Sequence, residues 1–303
     1  MARGSGPIEG QATHGAAPDW LHSCRSPSGR VERNVPWVGL LISSVVALGL
    51  CFPAHAEEKD PRLAAGIQDN LCLLEEAYNQ ERGVVQHINC LEHQDGNWFY
   101  NFTQEWPMRG QTNQFSYTLP YAWLHSEGQR AEGLGDVMLN YRRQALYETD
   151  ILPAFAPRLS LILPTGDESE DLGMGSLGYE VWLPVSKIVS NRVTLHANAG
   201  MTSYFDVDGR QPTSYLLGGA FVYAVTRNFN LLVESFGEWD ETVTDAGTIE
   251  RQSSYTISPG ARYAFNLSAG QLVLAAGAPI QMTQGADPDC GAYFYLSFEH
   301  RFR

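Results

Sequence analysis

At 303 residues the chain has room for one large domain or two small ones. It carries 34 Asp and Glu against 20 Lys and Arg, a formal net charge of −14. That excludes a groove gripping a nucleic-acid backbone, which needs Lys and Arg in surplus. Mean hydropathy is −0.24, and no stretch in the body of the chain is apolar for long enough to cross a bilayer as a helix, so a bundle of membrane-spanning helices is excluded as well.

Residues 1–56 read as a leader. Arg30 and Arg33 precede an apolar run from Val35 to Phe52, Ala54-His55-Ala56 offers the small residues of a cleavage site, and acidic Glu57-Glu58 follows. This is the layout of a secretory signal peptide cut after Ala56. An uncleaved anchor would need about 20 apolar residues and no Ala-His-Ala site. Residues 1–29 are long and irregular for the charged region of a signal, which places the start of translation near Val31. Cys24 and Cys51 leave with the leader; Cys72, Cys90 and Cys290 remain in an oxidising compartment. Cys72 and Cys90 can pair, or all three can stay reduced, and the odd count decides neither.

Residues 57–82 read as a short helical segment. Asp60 suits a cap, Pro61 suits the first turn, and Leu63, Ile67, Leu71, Leu74 and Tyr78 fall on one stripe. The helix is expected either in the periplasm or partly plugging the lumen; its stripe needs an apolar partner, and a polar lumen is a poor one, which favours the periplasmic mouth. From Gly83 onward a period of two takes over. Val193, Leu195, Ala197, Ala199 and Met201 alternate with Thr194, His196, Asn198 and Gly200. Phe115, Tyr117, Leu119, Tyr121 and Trp123 alternate with Ser116, Thr118, Pro120 and Ala122. The same pattern runs through 255–265 and 293–302. About twelve such segments occur, each of the length that a tilted strand needs to cross a bilayer.

The turns at 186–191, 227–228 and 266–269 are short, whereas the connections at 165–173, 206–213, 240–253 and 283–290 are longer and polar. Short turns inside and longer loops outside are the habit of an outer-membrane barrel, with both termini in the periplasm. Trp98, Trp106, Trp123, Tyr147, Tyr204, Trp239 and Phe302 lie near strand ends, where interfacial aromatics belong. A soluble sandwich or lipocalin-like barrel would instead point its apolar faces inward. The expectation is therefore an all-β fold: residues 83–303 as a transmembrane antiparallel up-and-down β-barrel of about twelve strands, preceded by the short helix.

The segments Trp98–Met108, Gly133–Gln144 (GLGDVMLNYRRQ) and Ala156–Asp167 (APRLSLILPTGD) resemble outer-membrane barrels grouped under the putative MetA pathway of phenol degradation. The resemblance covers roughly residues 60–303. It implies a barrel that passes small organic compounds, with outer-membrane lipid and the barrel-assembly machinery as partners and no cofactor. The chain departs from the family at Arg143, where an aromatic is usual, and in ending on Arg303 after Phe302.

In this register Glu105, Asp136, Asn140, Arg142, Arg158, Glu180, Glu234, Glu238, Arg262, Glu299 and Arg301 face the lumen. Opposed charges there select permeating ions, or brace the barrel as ion pairs. Arg142, Arg158 and Glu180 fall on consecutive strands, which leaves a positive surplus at their level. A hydrolase would need a Ser, a His and an orienting group together. His196 is the one mid-strand histidine facing the lumen, with no nucleophile elbow near it, so catalysis is not expected. No Cys-x-x-Cys or His-x-x-x-His spacing appears, and a metal centre is not expected either. The leading reading is a passive pore for small, apolar or aromatic solutes. The alternatives are a structural barrel with a closed lumen and a lipid-acting enzyme.

Overall fold

The computed structural model describes residues 62–126, 129–244 and 246–302; the leader and its Ala56 site lie outside them. Seventeen strands form one antiparallel sheet. They are β1 (Val84–Gln94), β2 (Asn97–Met108), β3 (Asn113–Ser126), β4 (Gln129–Leu134), β5 (Val137–Arg143), β6 (Ala154–Phe155), β7 (Arg158–Leu163), β8 (Gly178–Trp182), β9 (Val185–Ile188), β10 (Val193–Tyr204), β11 (Thr213–Thr226), β12 (Phe229–Val243), β13 (Ile249–Leu267), β14 (Gly270–Gly277), β15 (Ile280–Thr283), β16 (Asp289–Cys290) and β17 (Ala292–Arg301).

Several of these are pieces of one traverse. β4 and β5 both pair with β3, β8 and β9 with β10, and β14 and β15 with β13, while β6 and β7 run along β9 and β8, and β16 and β17 along β15 and β14. Pro157, Pro184 and Pro279 fall in three of the gaps, where a residue without an N–H cannot continue the ladder. Counted as traverses, twelve strands close into a barrel. The closing seam joins β1 to β17, from Val84 opposite Arg301 to His93 opposite Ala292.

The two faces of the wall are inverted relative to a soluble barrel. Thr194, His196 and Asn198 are buried, while Leu195 is 43%, Leu217 61% and Phe294 55% exposed. An outward row of Leu, Phe, Tyr and Val around a polar interior suits acyl chains and no aqueous solvent. The alternation in β10, β11, β13 and β17 runs as the period of two predicts, and the sandwich alternative falls with it.

One end of the barrel holds the turns at 109–112, 189–192, 227–228 and 268–269. Both ends of the wall meet there, with Phe302 N–H donating to the Gly83 carbonyl at 3.0 Å. The opposite end holds the connections at 164–177, 205–212, 244–248 and 284–288. The length rule is not strict: the two-residue turn Asp95-Gly96 sits at the loop end, and the long connection 144–153 at the turn end. Asp95 and Gly96 both have positive φ, the left-handed pair that a tight hairpin requires.

Residues 62–82 do not form the expected helix. Among the described residues its one helical turn is Leu63–Gly66, a 3-10 one, and the rest is non-helical chain lying inside the barrel. A helix would satisfy its own backbone. Here wall side chains do so instead, which removes the incentive to coil. Of the two expected placements, the segment takes the lumen and not the mouth. The lumen is not uniformly polar, and Trp182, Leu216, Leu232, Phe236 and Tyr293 form an apolar band that receives Ile67, Leu71, Leu73 and Leu74.

Candidate functional site

The segment enters at the turn end. Ala64 N–H donates to the Asn191 carbonyl at 3.0 Å in one turn, and a Cβ on Gly66 would collide with the Arg227 carbonyl in the next, so the chain slips past the 227–228 turn only as glycine. It then climbs to mid-lumen, reverses, and returns to the same end at Gly83.

On the way up Arg262 holds it. Nη1 donates to the Asp69 carbonyl at 2.8 Å and Nη2 to the Ile67 carbonyl at 3.2 Å. The Asp69 carboxylate accepts from Tyr295 Oη at 2.7 Å and from Gln86. At the top, Glu234 Oε1 accepts the N–H groups of Leu73 and Leu74 at 3.1 and 3.0 Å, while its Oε2 accepts from Tyr293 Oη at 3.1 Å. Cys72 is joined there to Cys90 of β1 by a disulfide.

On the way down the pattern repeats with other side chains. Asn198 grips Glu75 at both backbone groups, donating at 3.0 Å and accepting at 3.1 Å. Ser186 Oγ accepts from Ala77 N–H at 2.8 Å. Gln144 accepts from Asn79 N–H at 2.9 Å and donates to the Ala77 carbonyl at 2.7 Å. Gln114 accepts from Gln80 N–H at 2.8 Å. Each wall amide or hydroxyl stands in for a sheet partner, so the segment is bound by side chains and not by a ladder.

The ionic contacts gather around the reversal. Arg158 bridges Glu180 and Glu75, each at 2.7 Å. Arg262 meets the Glu76 carboxylate at 2.9 Å. Arg142 lies 3.8 Å from Glu75 and donates to Asn79 Oδ1 at 2.9 Å and to the Tyr78 carbonyl at 2.7 Å. The positive surplus expected at this level is absent, because the segment brings Asp69, Glu75 and Glu76 to it. Arg142, Arg158 and Arg262 face these three carboxylates together with Glu105, Glu180 and Glu234.

The remaining predicted lumen residues divide. Glu105 is buried near the cluster, with one oxygen lacking a hydrogen-bond partner. Glu234 and Arg262 do not pair with each other; each holds a different part of the segment. Asp136 is far from the constriction, at the loop end, where its carboxylate accepts from the N–H groups of Thr165, Gly166 and Met174 at 2.8–3.0 Å. It tucks the 164–177 connection inward, burying Leu172 beside Phe99 and Ala122. Glu299 and Arg301 sit at the turn-end rim, with Arg301 exposed, and neither joins the cluster. Tyr204, expected at an interface, points inward and packs with Met138, Ile162 and Met174.

Around His196 the structure assembles groups that the sequence left apart. His196 Nδ1 lies 2.7 Å from Ser186 Oγ and its Nε2 3.7 Å from Glu76. This resembles a catalytic triad only in composition. The serine is wholly buried and already accepts the Ala77 N–H, leaving no place for an acyl substrate. The trio is an anchor for the segment.

Gln86, Gln114, Gln144 and Ser186 were missed as working residues. Strand parity puts Gln86, Gln114 and Gln144 inside, whereas Ser186, expected in a turn, lies in β9; neutral side chains attract no notice until the segment arrives to use them.

The family described as the putative MetA pathway of phenol degradation matches residues 93–279, more than half the chain. The chain belongs to that family. Among solved structures, an outer membrane channel from Pseudomonas putida F1 is similar at 14% identity and a TM-score of 0.58, covering 75% of this chain and 98% of that one. At this identity the likeness shows the barrel fold alone. The CymD monoaromatic hydrocarbon channel is similar at 7% identity with a TM-score of 0.35, covering 74% and 90%, a likeness too loose to carry an argument. The NanC porin stands similarly, at 8% identity and 0.46, covering 71% and 98%. No curated protein matches the sequence.

Proposed function

We propose that the protein is a passive outer-membrane channel for small organic solutes, apolar and aromatic ones among them, held closed at rest by residues 62–82. The observation that carries this is how the segment is held. Apart from the Cys72–Cys90 bridge, its backbone bonds to Gln, Asn, Ser, Glu and Arg side chains of the wall, so the stretches on either side of that bridge can undock without unpairing any strand, and the whole segment can leave the lumen once the bridge is reduced. The family assignment supports organic solutes, and so does the apolar band of Trp182, Leu216 and Phe236 that withdrawal would uncover. Catalysis has no comparable support, since the buried Ser186–His196 pair serves the segment.

The reading includes export by a signal peptide cut after Ala56. The test is swelling of proteoliposomes in isosmotic small aromatic solutes, comparing the chain that begins at Glu57 with one lacking residues 57–82. Faster entry through the shortened barrel supports the channel. A folded shortened barrel that admits nothing would favour a structural, envelope-bracing role.

A further inference from the structure

Outside the lumen, the seam that closes the barrel carries two imidazoles. In the β1–β17 register His87 stands opposite Phe298 and His300 opposite Val85, so the histidines are diagonal neighbours on the outward face. Their Nε2 atoms lie 3.2 Å apart. His300 Nδ1 lies 3.2 Å from the Arg301 carbonyl oxygen. Donation of that N–H to the carbonyl leaves His300 Nε2 as a bare lone pair, the arrangement that fixes the tautomer of a metal-ligating histidine. Phe298 stacks on His300 with ring centres 5.4 Å apart, and Phe102 lies 6.4 Å from His87. On the other neighbouring strand His300 faces Gly270, which puts no side chain over the ring.

We propose that His87 and His300 form a two-histidine site for a borderline divalent transition metal such as zinc, nickel or copper, bridging the first and last strands of the barrel. Two nitrogens bound at about 2.0–2.1 Å to one ion stand roughly 2.9 Å apart at a right angle and roughly 3.4 Å apart at the tetrahedral angle. The observed 3.2 Å falls between, so the pair can accept the ion with little rearrangement. Imidazole nitrogen selects these ions over magnesium and calcium, and water completes the coordination. The site lies a few residues from the turn-end rim, where the Gly83 and Phe302 backbones meet. Ions in the adjacent aqueous compartment reach it there without crossing hydrocarbon. A bound ion adds a coordinate link across a seam otherwise held by the backbone ladder and by side-chain hydrogen bonds such as Gln86 to Ser297.

The competing arrangement is a simple N–H···N hydrogen bond between neutral rings, and titration separates the two. The untagged mature chain in detergent, with exposed Cys290 alkylated to remove a second soft ligand, is titrated with zinc chloride and with nickel chloride by calorimetry. His87→Gln and His300→Gln are titrated alongside. The site predicts one equivalent bound, at least a tenfold weaker affinity in either variant, no response to magnesium, and a zinc-dependent rise in the unfolding temperature of the unsubstituted chain alone. Equal affinity in the unsubstituted chain and both variants would overturn it. If the variants fail to fold, copper added to the unsubstituted chain decides by its paramagnetic resonance: hyperfine splitting from two nitrogens supports the site, and splitting from one or none refutes it.

Discussion

Cutting the Cys72–Cys90 bridge is the sharpest probe of the plug. The cysteines are 18 positions apart, one on the lumen segment and one on the wall. An undocked segment is still confined by this link, and its confinement favours re-docking. Closing a loop of that length costs the free chain about 3 kcal/mol of entropy. That is roughly two orders of magnitude in the ratio of undocked to docked segment. We therefore predict that Cys72→Ser, and reduction of the unsubstituted protein, raise the open probability of single channels in planar bilayers by up to about a hundredfold until it saturates. Cys90→Ser should behave alike, because either sulfur suffices to break the tether. Heat-modifiable migration on gels checks that the barrel stays folded. Unchanged open probability, with both thiols shown to be free by alkylation and mass spectrometry, would refute the tether and weaken the gating role.

Three further outcomes are expected. Deleting residues 57–82 should raise unitary conductance, since the segment fills the lumen between Arg262 and Asn198; unaltered conductance through a folded barrel would show that another obstruction, such as the 164–177 connection, limits flow. Ala197→Arg, in mid-strand on the lipid face, should cost about 2–4 kcal/mol in folding titrations, and Val193→Arg at the rim only about 0–1, whereas equal damage would mean that the barrel does not sit in a bilayer at this depth. Arg158→Ala removes the guanidinium shared by Glu75 and Glu180, so two carboxylates repel where one cation joined them. The plug should loosen and the reversal potential should shift towards cation preference; no change in selectivity would argue that permeating ions never pass this cluster.

The barrel itself was legible in the sequence because a strand has a period of two. Each residue of Val193–Met201 is committed to lipid or lumen by parity alone, and twelve repeats of that rule leave no other closed arrangement that hides the polar faces. Parity also placed Arg142, Arg158, Glu180, Glu234 and Arg262 inside. It says which way a side chain points and nothing about what it meets. The helical stripe of residues 63–78 misled for the same reason: helical spacing is evidence only while the backbone must satisfy itself, and here Gln144, Asn198, Ser186 and Glu234 satisfy it from outside. The meeting of Cys72 with Cys90, of Glu75 and Glu76 with the lumen arginines, and of His87 with His300 across 213 positions required the chain to fold into its own barrel and the last strand to close on the first. Local pattern fixes faces because it repeats every two residues; which charges, thiols and imidazoles touch is set by closure, a property of the whole ring of strands that no local window contains.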